Sequence, residues 1–359
     1  MIPPAEPPGP GSDGAPAPTA AVPATAATAS DPSEPASVPS AVSRPGASTF
    51  TIEGRSVPAL FVIGWLATLL GLGLIAIAVM SGDTSAGRIL LVVGLVPLSI
   101  GLIAGAGSQG IERRVRGRLP YRGPSPFLVL AASLPVSILA LVAVSVPLSL
   151  LGVPLDGPLG ALVSVTIQAL VYVGLVRLLV VDTGALDWGA MGVGRLGRRA
   201  VTEMAGGLAW VLPVVIVTGV LASLLLRLVQ VEPVSPLPPT GTAVGFALSL
   251  AAGVVVAPFG EEILFRAFAT TAWSQGLGAR RGLVLGAVVF AFVHVITISG
   301  SSAGDALGQA LVAFVGRLPI ALALGWLFLR RGTMWASFGL HAGFNAALLI
   351  LAEVASRSS

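Results

Sequence analysis

"ALSLAAGVVVAPFGEEILFR" (residues 247–266) runs through fourteen uncharged residues and then sets Glu261 and Glu262 side by side, with Arg266 four residues on. Its first part has no polar face for water, and a segment apolar all round belongs in lipid or in a large core. The whole chain points the same way. Of its 359 residues 55% are hydrophobic and 10% charged, against roughly 25% charged in a soluble domain, and the mean hydropathy is +0.93. These values define an integral membrane protein.

All 20 basic residues are arginine, and with the abundance of Ala, Gly, Val and Leu this suggests the codon bias of a GC-rich, bacterial genome. The sequence pI of about 10.8 would suggest a nucleic-acid partner in a soluble protein. Here the arginines fall in short clusters between apolar runs and mark topology, so the expected partners are the lipid bilayer and no nucleic acid. The absence of cysteine excludes disulfides, thiol proteases and cysteine-held zinc.

Residues 1–50, rich in Pro, Ala, Ser and Gly, lack a hydrophobic period and read as a disordered tail. No basic start followed by a short apolar run marks them as a signal peptide. Beyond them, about 20 apolar residues are needed per membrane helix. Nine runs meet that need, near 58–80, 89–107, 126–150, 158–180, 206–229, 243–263, 282–300, 307–329 and 334–352. The expectation is an all-α, polytopic transmembrane bundle of about eight or nine spans. It divides into N-terminal helices over 51–180 and a core over 181–359. Arginine clusters at 113–122, 195–199, 280–281 and 330–331 fall on one side if every run crosses once, and the opposite loops carry Asp83, Asp156, Glu232, Asp305 and only Arg88. The positive-inside rule then makes the arginine side cytoplasmic, with the N-terminus inside a bacterial plasma membrane.

In this topology Glu261, Glu262 and Arg266 close the sixth run at its cytoplasmic end. A charge at membrane depth costs about 2.5–3.5 kcal/mol even on mild scales, so each acid needs a partner. On a helix Glu262 and Arg266 are i and i+4 and can pair, whereas Glu261 points about 100° away toward something else. A plain helix end with one ion pair accounts for Glu262 and Arg266 but not for Glu261. Both histidines of the chain lie in apolar runs: His294 in "VVFAFVHVITIS" with Phe290 one turn before it, and His341 in "FGLHAGFNAALL" with Asn345 one turn after it. A single polar residue in such a helix is often an interhelical hydrogen bond. Two histidines with two acids and a carboxamide also suffice for amide hydrolysis without a covalent intermediate, because a carboxylate can take a proton from water while imidazole and amide groups orient it or stabilise an oxyanion. Neither G-x-S-x-G nor H-E-x-x-H occurs, so any metal would be held by residues from three separate helices.

"EEILFR" (261–266), "FAFVH" (290–294) and "HAGFN" (341–345) resemble, in order, the EExxxR, FxxxH and HxxxN motifs of the CPBP intramembrane proteases, the family of type II CAAX prenyl proteases and of the bacteriocin-processing and immunity (Abi) proteins. "LDWGAMGVGR" (186–195) is similar to a Leu-Gly-rich stretch that often precedes the core in that family. The resemblance implies Glu261 as the base that activates water, His294 as the residue that positions that water, and His341 and Asn345 as oxyanion stabilisers. It implies supporting roles for Glu262, Arg266 and Phe290. The family is usually described as metal-dependent. A divalent cation, Zn2+, held by Glu261, His294 and His341, and a metal-free, glutamate-activated water both fit these residues. The implied substrate is a peptide or membrane protein cut near the cytoplasmic side. For a bacterial source a leader peptide or a membrane protein's own helix fits better than a prenylated CAAX tail.

Two other readings compete. A proton-coupled transporter would distribute polar groups over paired repeats, whereas here they gather in the last four runs. A catalytically silent immunity or scaffold protein would have no need of an intact residue set. Arg317, in the middle of the eighth run, either meets an active-site carboxylate, binds a substrate carboxyl end, or escapes to water through a helix break at "GRLP". Gln168, Arg177 and Glu203 read as interhelical bonds and interface anchors, and Pro97, Pro135, Pro213, Pro258 and Pro319 as kinks, with Pro258 placed to open the helix beside the acids.

Overall fold

The computed structural model describes residues 57–358 apart from 118, 232–238 and 297. The tail read over 1–50 therefore lies outside the described residues, as do Arg118 and Glu232. Among the described residues all regular structure is helical. The first four helices are α1 (Val57–Met80), α2 (Ser85–Arg116), α3 (Pro126–Leu150) and α4 (Pro158–Val176). Next come α5 (Arg198–Leu208), α6 (Val211–Val229), α7 (Ala243–Leu250), α8 (Ala257–Glu261) and α9 (Thr271–Leu277). The last three are α10 (Ala279–Val293), α11 (Ala303–Arg331) and α12 (Met334–Ser358). Eight helical stretches among the described residues are long and apolar enough to cross a membrane.

The difference from nine runs lies at 282–300. There α10 is a helix of 15 residues that stops at Val293, with His294 as its C-terminal cap. Val295, Ile296 and Ile298 follow; β-branched residues give up side-chain freedom in a helix, and a short run of them favours its end. The backbone continues in turns, with Val295 N–H donating to Phe292 O and Ile298 N–H to Val295 O. Non-helical backbone at membrane depth is tolerated only against protein or a wet cavity, and it begins here at a histidine.

The sixth run is longer than its apolar pattern. Ala243–Leu277 is one 35-residue helical stretch, and Glu261 stands close to its middle rather than at its cytoplasmic end. Pro258 does not open it. Proline removes a backbone donor, and the chain absorbs the defect with π-helical turns over Ala251–Val256 and Glu262–Thr270. Helices α2, α3 and α11 likewise run unbroken through Pro97, Pro135 and Pro319.

Lipid gives helices no hydrophobic reason to associate, so small residues that admit close backbones decide where they meet. A Cβ on Gly71 of α1 would stand 2.5 Å from Leu98 N of α2. A Cβ on Gly260 would stand 2.7 Å from the Ala169 side chain, so α4 lies against the residue that precedes Glu261. Gly207 of α5 and Gly339 of α12 seat these helices backbone to backbone, a Cβ at either running into Ala336 O or Met204 O. Gly339→Leu is therefore expected to push α12 off α5 and to destabilise the fold by about 1–3 kcal/mol, the usual cost of overpacking, read as a lowered midpoint of thermal unfolding. An unchanged midpoint would show that the contact is looser than described.

The Leu-Gly-rich stretch at 186–195 clamps the α11–α12 turn. Gly192 O accepts from Met334 N–H at 3.1 Å and from the Thr333 hydroxyl at 3.3 Å, and Gly194 O accepts from Trp335 Nε1–H at 2.9 Å. Gly192 has φ +69°, in the left-handed region that glycine alone enters without strain. Glu203 of α5 adds an ion pair to Arg331 at 2.7 Å. These ties fix the start of α12 and with it the height of His341.

Candidate active site

The two π turns explain how neighbouring acids serve different partners. Glu261 ends the five-residue helix α8 and Glu262 opens the second π stretch. Such insertions shift the faces of a helix and recur at functional sites. Glu262 is fully buried and Glu261 remains 16% exposed at its side chain.

His294 Nδ1 lies 2.7 Å from Phe290 O. A carbonyl can only accept, so Nδ1 carries a proton and the ring presents its Nε2 outward. That Nε2 is 3.7 Å from Glu261 Oε2. His341 repeats the arrangement from α12. Its Nδ1 donates to Glu262 Oε1 at 2.9 Å, and its Nε2 stands 3.6 Å from the same Glu261 Oε2. Three helical segments thus bring two imidazole nitrogens and one carboxylate oxygen to a common point. The separations exceed a direct hydrogen bond and suit one small species shared among the three groups. His294 is 27% exposed at its side chain, against 6% for His341, so the opening lies on the His294 side.

Beneath this point is a buried platform. Arg266 approaches Glu262 to 3.5 Å, and its guanidinium lies over the Phe290 ring, 4.0 Å from the centroid. Phe290 also meets the rings of His294 and His341 at centroid distances of 4.4 and 5.8 Å. Glu262 is closer to His341 than to Arg266, so it orients the histidine as well as balancing the arginine. Glu262 Oε2 and both Arg266 terminal nitrogens lack hydrogen-bond partners among the described residues, so the pair is held by charge and stacking.

Asn345 is otherwise engaged. Its amide donates to Gly253 O at 2.7 Å, inside the first π stretch, which leaves one amide hydrogen. No contact links it to Glu261. One residue that local patterning misses also lies beside the site. Tyr172 of α4 packs beside Gly260, and the charge of Glu261 acts on both Tyr172 and Arg317. The chain has only two tyrosines, and one of them inside an apolar helix was the available signal for Tyr172.

The donor chemistry of two imidazoles and a carboxylate would suit zinc. In the arrangement described, no group of three or more His, Cys, Asp or Glu among the described residues is spaced to hold a metal ion.

Residues 243–347 match the family model "Type II CAAX prenyl endopeptidase Rce1-like". That segment contains all three motif stretches and is consistent with a CPBP-family protease. No curated protein and no solved structure matches the chain. The family match supports a CAAX-type intramembrane protease activity and, with the eight apolar helices, a membrane setting and a peptide substrate.

Proposed function

We propose that the protein is an intramembrane endopeptidase that hydrolyses a peptide bond with a water activated by Glu261, residues 181–359 forming its catalytic core. The observation that supports this most is the approach of both Nε2 atoms to Glu261 Oε2, at 3.7 and 3.6 Å. A water bridging these groups would donate one proton to Glu261 and one to His294 Nε2, leaving an oxygen lone pair for the substrate carbonyl. Attack forms the new C–O bond as Glu261 takes the water's proton. Collapse of the tetrahedral intermediate breaks the C–N bond, and Glu261 returns that proton to the departing amine. His341, carrying a proton on each ring nitrogen in the active form, would stabilise the oxyanion by donating from Nε2 while its Nδ1–H stays on Glu262, in the way a carboxylate orients and supports an imidazolium elsewhere. The remaining amide hydrogen of Asn345 would serve the same oxygen. Arg266 and Phe290 hold Glu262 and the histidines in place.

No step of this mechanism is routed through a metal; a divalent cation held by Glu261, His294 and His341 is the alternative, which chelation separates from it. Purified protein in liposomes is expected to cleave a membrane-anchored peptide at a rate that extensive chelation leaves unchanged. Chelation that abolishes cleavage, restored by zinc, would replace the metal-free mechanism with one in which Glu261, His294 and His341 are ligands. The arginine clusters favour an N-terminus in the cytoplasm of a bacterial cell, and a reporter fused there should be reachable only from that side.

A further inference from the structure

Arg317 is the one cation in the interior of the α11 span that the mechanism leaves unused. Helix α11 is continuous from Ala303 to Arg331 through Pro319, so no break at "GRLP" lets the side chain escape to water. Among the described residues Arg317 Nη1 donates to Ala313 O of its own helix, at 3.2 Å, and no carboxylate lies within ion-pair distance. A guanidinium has five donors in a planar fork matched to a carboxylate, and leaving it without an anion at membrane depth is costly.

The helices on either side set its height. Helices α10 and α11, joined by residues 294–302 and packed side by side, run antiparallel, and a Cβ on Gly325 would stand 2.6 Å from Leu283 Cδ1. Counted along both helices at equal rise from that contact, His294 is level with about Phe314. On the other side, α11 turns back into α12 between Arg331 and Met334 and the two helices share one apolar cluster that includes Leu324 and Leu340, so counted at equal rise from the turn His341 is level with about Leu324. Arg317 falls between these levels. The charge of Glu261 reaches it.

We propose that Arg317 is a substrate-binding residue that takes a carboxylate of the bound peptide close to the scissile bond, either the peptide's terminal carboxylate or an acidic side chain. This deepens the proposed function and rests on it. An incoming carboxylate neutralises Arg317 and gives the anion a charged partner within the bilayer, so pairing offsets the cost of both. It also disfavours peptides that bring only a neutral end, whose binding would leave the guanidinium unpaired.

The test uses the full chain in liposomes and one anchored peptide in three forms: a free terminal carboxylate, a terminal carboxamide, and a terminal carboxamide with one glutamate near the cut. Wild type is expected to cleave the free carboxylate or the glutamate form about tenfold better in kcat/KM than the plain carboxamide, mainly through KM, as expected for a hydrogen-bonded charge pair. Whichever form gains identifies the source of the carboxylate. Arg317→Gln should remove the preference while still cleaving the carboxamide, and Arg317→Lys should keep part of it. Equal cleavage of all three forms by wild type, or a preference that survives in Arg317→Gln, overturns the proposal and leaves the protease assignment standing. Binding of fluorescent versions of the same peptides to Glu261→Gln, with and without Arg317→Gln, reads the carboxylate preference without cleavage. An absence of cleavage throughout would thus count against the proposed function, while the binding preference would still decide the role of Arg317.

Discussion

Glu261→Gln is expected to lower peptide cleavage by about 10²–10⁴-fold, the range in which a positioned general base contributes, with membrane insertion and thermal unfolding close to wild type. Glutamine keeps the volume and an oxygen for the water but cannot take its proton. Stability should change little because Glu261 makes no short ion pair; its neighbours are the two Nε2 atoms beyond 3.5 Å. If the variant cleaves at the wild-type rate, the base is another residue. If it fails to fold, Glu261 is part of the scaffold rather than of the chemistry.

Glu262→Ala should behave in the opposite way, costing stability first. The side chain is fully buried, and its loss would strand the Arg266 guanidinium and the Nδ1–H of His341 without their anion. Removing one partner of a buried pair costs about 3–5 kcal/mol, enough to lower the unfolding midpoint by many degrees and the amount of inserted protein with it. Glu262→Gln should be milder, since its amide oxygen can still accept from His341, and its residual fold allows the loss of activity to be read separately. A Glu262→Leu/Arg266→Leu pair should recover part of the stability without recovering cleavage, because the stranded charge is gone while His341 is still unoriented. Equal stability of Glu262→Ala and wild type would mean that Arg266 is held by its stacking on Phe290 alone.

Adjacent residues tell how far the sequence reaches. That Glu261 and Glu262 need different partners followed from the angle between neighbours on a helix, and that the histidines were unusual followed from their being the only two, both in apolar runs. The bundle was equally legible because a lipid-facing helix must be apolar over its whole length. Local pattern could not show that Glu262 would bond His341 rather than Arg266 alone, since that bond joins residues 79 positions apart. The π turns flanking Glu261 leave no signature in a 3.6-residue period, so the sixth run looked as though it ended at the acids. The early stop of α10 was masked because Val295, Ile296 and Ile298 are as apolar as a membrane helix and differ only in branching. The contact of Asn345 with Gly253 O depends on how α12 crosses a π turn, which only the packed helices define.

The central claim is that Glu261, His294 and His341 act on one water as a unit, and the most direct measurement is a multiple-mutant cycle on cleavage in liposomes. Groups that act together are grossly non-additive. Glu261→Gln, His294→Ala and His341→Ala should each remove most of the rate, and the triple variant should be no slower than the slowest single one. Losses that multiply from one substitution to the next, or a histidine variant that cleaves like wild type, would contradict the account.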